Sequence, residues 1–222
     1  MTIKEAMKSR HMVRKYKNQK IPKEIVDQLT ARIQENNEKY RLNLELVTEN
    51  NEAFSAPIRL ILAKGVRNYI VLAGRDTADL DEKLGYCGAD VMLYAQTLGL
   101  NSWWVGGTFS KKGAKKNAVL TEDMKIIGVI AVGYGETQGV PHKSKRPEEI
   151  SHYQGNAPAW FTEGVEAVLL APTALNKQAF TIKGEGQKVS MTCDNGKFSG
   201  VDLGIGKYHF ETGAGKENFD WA

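Results

Sequence analysis

Two periodicities of apolar residues alternate along the chain, and together they predict a mixture of helices and strands. Apolar positions three and four residues apart predict a helix that begins at Pro22 and a longer one over about 79–98, which ends at Gly99. Shorter helices are predicted over 2–9, where Thr2 and Glu5 form a capping box, over 163–171 and from about Asp202. Apolar or alternating runs predict strands at 43–47, 58–64, 68–74, 102–107, 126–135, 179–183 and 188–193.

These elements follow no strict strand–helix–strand rhythm. The sequence therefore predicts the α+β class, with a sheet flanked by helices. A chain of 222 residues fits one unit over 1–222, and it buries enough surface to need neither disulfide nor metal.

Charge is mildly positive and unevenly distributed. The formal net charge is +4 and the sequence pI is about 8.9, with basic clusters at 9–20, 111–116 and 141–147. Such clusters attract nucleic acid, a membrane surface or a small phosphorylated ligand. Cys87 and Cys193 form no C-x-x-C pair, the first residues lack an apolar signal-peptide core, and no apolar run approaches membrane-spanning length. We expect a cytoplasmic protein with free thiols.

Two of the basic clusters have the composition of phosphate clamps. In "SRHMVRKY", Arg10, His11 and Arg14 lie within five residues, and two guanidiniums can grip a phosphate through charge-assisted hydrogen bonds. In "HKSKRP", the cations are Lys143, Lys145 and Arg146. A solvated basic surface is the alternative for both clusters.

Two further stretches offer hydrogen bonds without charge. In "SWWVGG", Gly106 and Gly107 follow an apolar strand, where bare backbone can approach a flat ligand. In "APTALNKQAF", residues 171–180, a small-residue turn carries hydroxyl and amide groups. Plain turns are the alternative for both. Because no Walker motif, G-x-S-x-G or metal-ligand spacing occurs, these candidates favour an anionic, planar, hydrogen-bonding cofactor, and flavin mononucleotide (FMN) has that shape.

Taken together, the four stretches resemble the FMN-dependent nitroreductase family. "SRHMVRKY" is similar to the family's opening "RRSxRxF" segment, with Met12 in place of the usual serine. "LGYCGADVMLYAQTLGLNSWWVGG" is similar to its long helix, turn and strand, after which the backbone faces the flavin N5. "HKSKRPEEI" resembles its late "KxRxP" clamp, and "APTALNKQAF" its "APSAxNxQPW" turn, with Gln178 at the glutamine position.

The resemblance implies a set of FMN-binding residues and no acid–base catalyst. The implied residues are Arg10, His11, Met12, Arg14, Trp104, Val105, Gly106, Gly107, Lys143, Lys145, Arg146, Pro172, Thr173, Ala174, Leu175 and Asn176. Trp103, Phe109 and Tyr208 are further candidates to line the pocket beside Trp104.

The turn stands in an unusual place. Members of the family carry it soon after the opening segment and lend it to a partner subunit, whereas here that region reads "ENNEKYRLNLEL" and the turn follows the clamp. "DLGIGKYHFETGA" also weakly repeats "KLGYCGADVMLYA". We therefore expect a pseudo-dimer in one chain, with halves of about 1–155 and 156–222, one FMN and a monomeric state.

The implied activity is an FMN-dependent oxidoreductase. It would pass hydride from NAD(P)H through flavin N5 to an electron-poor acceptor such as a nitroaromatic or quinone, in a ping-pong sequence. One alternative is a flavin-binding protein without turnover, for storage, sensing or flavin breakdown. A nucleic-acid module built on 111–116 and 142–147 is less favoured, because aromatic residues do not interleave with those basic clusters and the net charge is modest.

Overall fold

The computed structural model describes residues 1–222 and contains two four-stranded sheets. The helices are α1 Ile3–Ser9, α2 Lys23–Tyr40, α3 Ala56–Ile61, α4 Leu80–Thr97, α5 Lys111–Lys116, α6 Pro147–Ile150, α7 Ala159–Val168 and α8 Ser199–Ala214, with 3₁₀ turns at Ala174–Asn176 and Lys216–Asn218. The strands are β1 Glu45–Val47, β2 Tyr69–Arg75, β3 Asn101–Val105, β4 Met124–Gly133, β5 Ser151–Tyr153, β6 Phe180–Glu185, β7 Lys188–Cys193 and β8 Asp220–Trp221.

The first sheet has the order β1-β2-β4-β3 and is antiparallel throughout. Its central strands, β2 and β4, read as near-continuous apolar runs because both of their faces are covered. Residues of α2 and α4 pack on one face, and Phe54 and Ala114 contribute to the core on the other. β3 lies at the edge of the sheet, with Trp103 paired to Ala131.

The second sheet has the order β5-β6-β7-β8. β6 and β7 form a hairpin whose tight turn lies at Gly186 and Gln187, with Gly186 in the left-handed region at φ 54°. Its apolar face packs under α7 and α8 through a cluster that includes Phe161, Phe180 and Phe210. No helix in the protein is long and apolar enough to cross a membrane.

The helices α4 and α8 cross at two glycines, where their backbones touch. A Cβ on Gly85 would lie 2.1 Å from the Val201 carbonyl oxygen, and a Cβ on Gly204 would lie 1.9 Å from the Glu82 carbonyl oxygen. Each carbonyl belongs to the residue three positions before the other glycine, so the crossing is reciprocal. These glycines belong to the two Leu-Gly pairs that the sequence repeats.

Most of the predicted elements are confirmed, including the α+β class and the capping box at Thr2. The strand predicted over 58–64 is wrong, because the chain forms α3 there. Pro57 lies in the first turn, where proline is tolerated, and Ile58 and Leu62, four residues apart, pack against the core while Leu60 and Ile61 are exposed. The last helix begins at Ser199, slightly earlier than predicted.

Candidate functional site

The segment 10–14 leaves α1 and runs beside the edge strand β3. Met12 pairs with Ser102 in a parallel bridge, and the Val13 amide donates to the Ser102 carbonyl at 3.1 Å. Because side chains alternate along an extended segment, Val13 is buried while Met12 and Arg14 are exposed. The Arg14 guanidinium lies 5.1 Å from the centre of the buried Trp103 ring, a cation–π contact.

Arg10 is the buried member of this segment. Its side chain is 4% exposed, its Nε has no hydrogen-bond partner, and it forms no ion pair with a carboxylate. Burial lowers the pKa of the guanidinium to about 10. A cation taken out of water without an anion is costly, so a group of this kind is suited to an anionic ligand.

Two histidines, His11 and His209, lie within electrostatic reach of Arg10. Burial, Arg10 and His142 lower the pKa of His11, and burial lowers the pKa of His209 to about 3, with Arg10 and His142 adding to the effect. His209 is fully buried, its Nδ1 lies 2.8 Å from the Ile205 carbonyl oxygen, and its Nε2 has no partner. His209 is therefore neutral, and the net charge of this cluster is positive.

The loop after β4 is tied to the turn 171–178 by hydrogen bonds. The Lys145 amide donates to Gln178 Oε1 at 2.7 Å, and Lys145 Nζ donates to the Gln178 carbonyl at 2.9 Å. The Asn176 side-chain amide donates to the Lys143 carbonyl at 2.7 Å. The sequence-predicted clamp and the sequence-predicted turn thus form one unit. Arg146 points elsewhere, because it pairs with Glu148 and Glu149 at the start of α6.

The turn itself has an unusual backbone. Leu175, Asn176 and Gln178 all lie in the left-handed region, at φ 56°, 54° and 46°, which non-glycine residues adopt rarely. Leu175 is 91% exposed, although it is a large apolar residue. Backbone strain of this kind concentrates at ligand sites, where the surrounding structure holds it in place.

Two contacts hold the turn from within the second half of the chain. The Gln178 amide donates to Thr173 Oγ1 at 3.1 Å, and the Ala174 amide donates to both carboxylate oxygens of Asp202, at 3.0 and 3.1 Å. Burial raises the pKa of the Asp202 carboxyl to about 6, so it is ionised at neutral pH. Pro172 and Thr173 are half-buried between these anchors.

The end of β3 reaches the same region through Trp104. This ring packs against Gly88 of α4, where a Cβ would come within 2.4 Å, and against the cluster that contains Ala171 at the start of the turn. Val105 is buried beyond it. Gly106 faces the Phe198 ring at the start of α8, and a Cβ on Gly107 would meet no atom within 4 Å. The backbone at Gly107 is therefore open to a ligand.

Sequence reasoning missed Asp202, His209, His142 and Phe198 as parts of this site. His142 begins the "HKSKRP" stretch but is not among its candidate residues, and Asp202 and His209 lie within a helix pattern that gives no sign of the turn opposite. Tyr208, a candidate pocket residue, instead donates to Asp90 at 2.7 Å. No cluster of three or more metal-ligating side chains exists in the protein.

Similar proteins bear on the fold and the family. The family model described as "Putative TM nitroreductase" matches residues 2–214. A crystal structure of a "putative nitroreductase" from Thermotoga maritima superposes with a TM-score of 0.66 at 22% identity, over 98% of this chain and 85% of that one.

Two further structures cover less of the chain. Each is described as "Putative NADH dehydrogenase/NAD(P)H nitroreductase", one from Parabacteroides distasonis (TM-score 0.52) and one from Bacteroides thetaiotaomicron (TM-score 0.51). Both are 20% identical and cover 68% of this chain, with 96% and 98% of their own lengths. No curated protein matches. The family match spans nearly the whole sequence, and the chain therefore belongs to this nitroreductase family.

Proposed function

We propose that the protein is an FMN-dependent oxidoreductase that uses NADH or NADPH as its electron donor. The observation that carries this proposal is the buried Arg10 guanidinium, which has no anion and an unpartnered Nε. It lies in the segment that resembles the family's opening "RRSxRxF" stretch. When bound, FMN would accept hydride from NAD(P)H and deliver it to an electron-poor acceptor such as a nitroaromatic or quinone.

The residues present fit this cofactor by charge and by hydrogen bonding. Arg10 and Arg14, with the exposed Lys143, supply positive charge for a phosphate and for the electron-rich reduced ring. The open backbone at Gly107 and the second hydrogen of the Asn176 side-chain amide, whose first is donated to the Lys143 carbonyl, supply neutral donors for a polar ring edge. No acid–base side chain is needed in this set, because the chain's part is to bind and orient.

The proposal extends to one cofactor per chain and a monomeric pseudo-dimer. Two features support the idea of two related halves. The helices α4 and α8 cross each other at equivalent glycines, and each helix packs on a sheet of its own. The basic segment 10–14 and the turn 171–178 come from different halves of the sequence and occur once each. We expect light scattering to give a monomer at low micromolar concentration, and a tight homodimer would contradict the fused-halves account.

A cytoplasmic location, favoured by two free cysteines, belongs to the same proposal.

A flavin-binding protein without turnover would use the same residues, so reduction separates the two functions. The reductase predicts that NADH or NADPH reduces bound FMN anaerobically, and that a nitroaromatic or quinone reoxidises it. If neither nucleotide reduces the bound flavin, the non-catalytic binder is the better description.

Two substitutions test where the cofactor binds. Arg14→Ala and Asn176→Ala should each weaken FMN binding about tenfold, since each removes one hydrogen-bonding group from the proposed site. Both side chains are exposed, so unfolding midpoints should stay within a few degrees of the wild type. Fluorescence titration with FMN measures the affinity, with Lys183→Ala on the exposed face of β6 as the matched control. Full affinity in both variants would place the cofactor elsewhere.

A further inference from the structure

Asp202 makes a contact that no sequence motif assigns. It lies in the first turn of α8 and is 6% exposed, and its two carboxylate oxygens share the Ala174 amide as their hydrogen-bond donor. No lysine or arginine forms an ion pair with it. A buried carboxylate whose hydrogen bonds both come from one backbone amide holds that amide firmly, because charge-assisted hydrogen bonds are about twice as strong as neutral ones.

The turn needs such an anchor. Leu175 and Asn176 stand in the left-handed region, and Leu175 is exposed to solvent, so packing does not hold it there. On the far side, Gln178 is fixed by its bonds to Lys145 and to the Leu169 carbonyl. On the near side, the Ala174 amide bonded to Asp202 is the corresponding support. Strained backbone persists only where both flanks determine it.

We propose that Asp202 is a positioning residue for the cofactor turn: its ionised carboxylate fixes the Ala174 amide, and thereby the left-handed Leu175 and Asn176, in the conformation that receives the cofactor. The inference rests on the proposed function, which assigns FMN to this turn. Asp202 touches the turn and acts through it.

The geometry gives the contact a pH dependence. Asp194 and Cys193 approach Asp202 from the end of β7, and Lys177 approaches it from the turn. On α4, Asp81 packs against Gly200, two residues before Asp202. Burial and the Asp194 charge raise the pKa of Asp202 to about 6, against the lowering effects of the Ala174 bond and Lys177. The carboxylate therefore loses its charge as pH falls through about 6, and the turn should receive the cofactor less well below that pH.

The experiment compares FMN dissociation constants of the wild type, Asp202→Asn and Asp194→Asn by flavin fluorescence between pH 5 and pH 8. The FMN phosphate also titrates near pH 6, but it contributes equally to every variant, so the ratio of constants isolates Asp202. We expect Asp202→Asn to bind about tenfold more weakly than the wild type at pH 8 and within about twofold at pH 5. Asp194→Asn should keep wild-type affinity at pH 8. A ratio that is near one at pH 8, or that is constant across the pH range, overturns the inference.

A second readout does not involve the cofactor. In the FMN-free protein, the NMR shift of the Ala174 amide should titrate with a midpoint near pH 6 in the wild type and should not titrate in Asp202→Asn. Failure of the wild type to bind FMN at any pH would overturn the proposed function and, with it, the cofactor role of Asp202. An Ala174 amide that does not titrate, in a protein that binds FMN, would overturn the Asp202 inference alone.

Discussion

Two charged groups are buried beside the long helices of the protein, and they differ in whether the opposite charge is present within the chain. In the first, Asp90 of α4 receives two hydrogen bonds from Arg32, at 2.6 and 2.8 Å, and one from Tyr208 of α8. In the second, Arg10 lies within electrostatic reach of His209 of α8 and has no anion. We call the first centre complete, because the buried charge has its partners within the chain. We call the second incomplete, because the chain supplies no anion for Arg10, so that an anionic ligand would have to supply it.

The comparison shows how to separate a structural charge from a binding charge. Removing a buried charge that is hydrogen-bonded within the chain leaves its buried partners unsatisfied, which costs stability. Removing a buried cation that has no partner relieves a desolvation cost, so stability is kept while ligand affinity is lost. Opposite signs of the stability change in the ligand-free protein therefore distinguish the two roles.

The largest effect is expected at the complete centre. Asp90→Ala should lower the free energy of unfolding by about 2 kcal/mol, because Asp90 is 2% exposed and its loss leaves the buried Asn36 amide and the Tyr208 hydroxyl without their acceptor. Urea unfolding of the FMN-free protein measures this. Glu35→Ala, which removes only the surface partner of Arg32, should cost less than about 1 kcal/mol. An equal cost in the two variants would show that the contacts of Asp90 are not structural.

The incomplete centre should respond in the opposite way. Arg10→Met replaces the buried guanidinium by an apolar side chain of similar length, so the FMN-free protein should be as stable as the wild type or more stable by about 1 kcal/mol. FMN affinity should fall about 100-fold with the loss of the phosphate-binding cation. Parallel urea and FMN titrations test both statements. Loss of stability with unchanged affinity would assign Arg10 to the scaffold.

A smaller effect concerns His209 in the same centre. Its pKa is lowered to about 3 in the folded protein by burial and stays near 6.5 when unfolded, so the unfolded chain binds a proton that the folded one does not. Its stabilising contribution is complete above about pH 6.5 and is lost as pH falls towards 3. From pH 7 to pH 5 the wild type should lose about 2 kcal/mol more than His209→Asn, whose amide can still donate to the Ile205 carbonyl.

Asp202 contributes a pH dependence of opposite sign, and this contribution cancels when the unfolding free energy of His209→Asn is subtracted from that of the wild type. Its folded pKa is raised, so acidification from pH 6 towards pH 4 stabilises both proteins equally. If the difference between the unfolding free energies of wild type and His209→Asn stays constant from pH 7 to pH 5, His209 is not the buried neutral group described above.

The sequence carries most of this fold because its elements have strong local patterns. The periods of α2 and α4, the Thr2 capping box and the β6–β7 hairpin are readable from neighbouring residues alone. The error at α3 has a local cause, since a short apolar run with exposed Leu60 and Ile61 resembles a strand.

The site is only partly predictable from the sequence, because some of its contacts join segments that are far apart along the chain. Arg10 and the turn 171–178 belong to contiguous motifs, whereas Asp202 and His209 acquire their roles from segments distant in sequence. The apolar pattern of α8 would be the same if Asp202 faced solvent, so the pattern does not reveal the contact between Asp202 and Ala174. Arg146 shows the converse, because a basic motif does not reveal that nearby carboxylates of α6 engage one of its members.

The central claim is that the protein binds one FMN per chain and uses it for electron transfer. The most direct test is an absorbance spectrum of the freshly purified protein, scaled to chain concentration, before and after anaerobic addition of NADH or NADPH. We predict a flavin band near one equivalent per chain that bleaches on addition of the nucleotide. A colourless protein that also fails to bind added FMN would contradict the account.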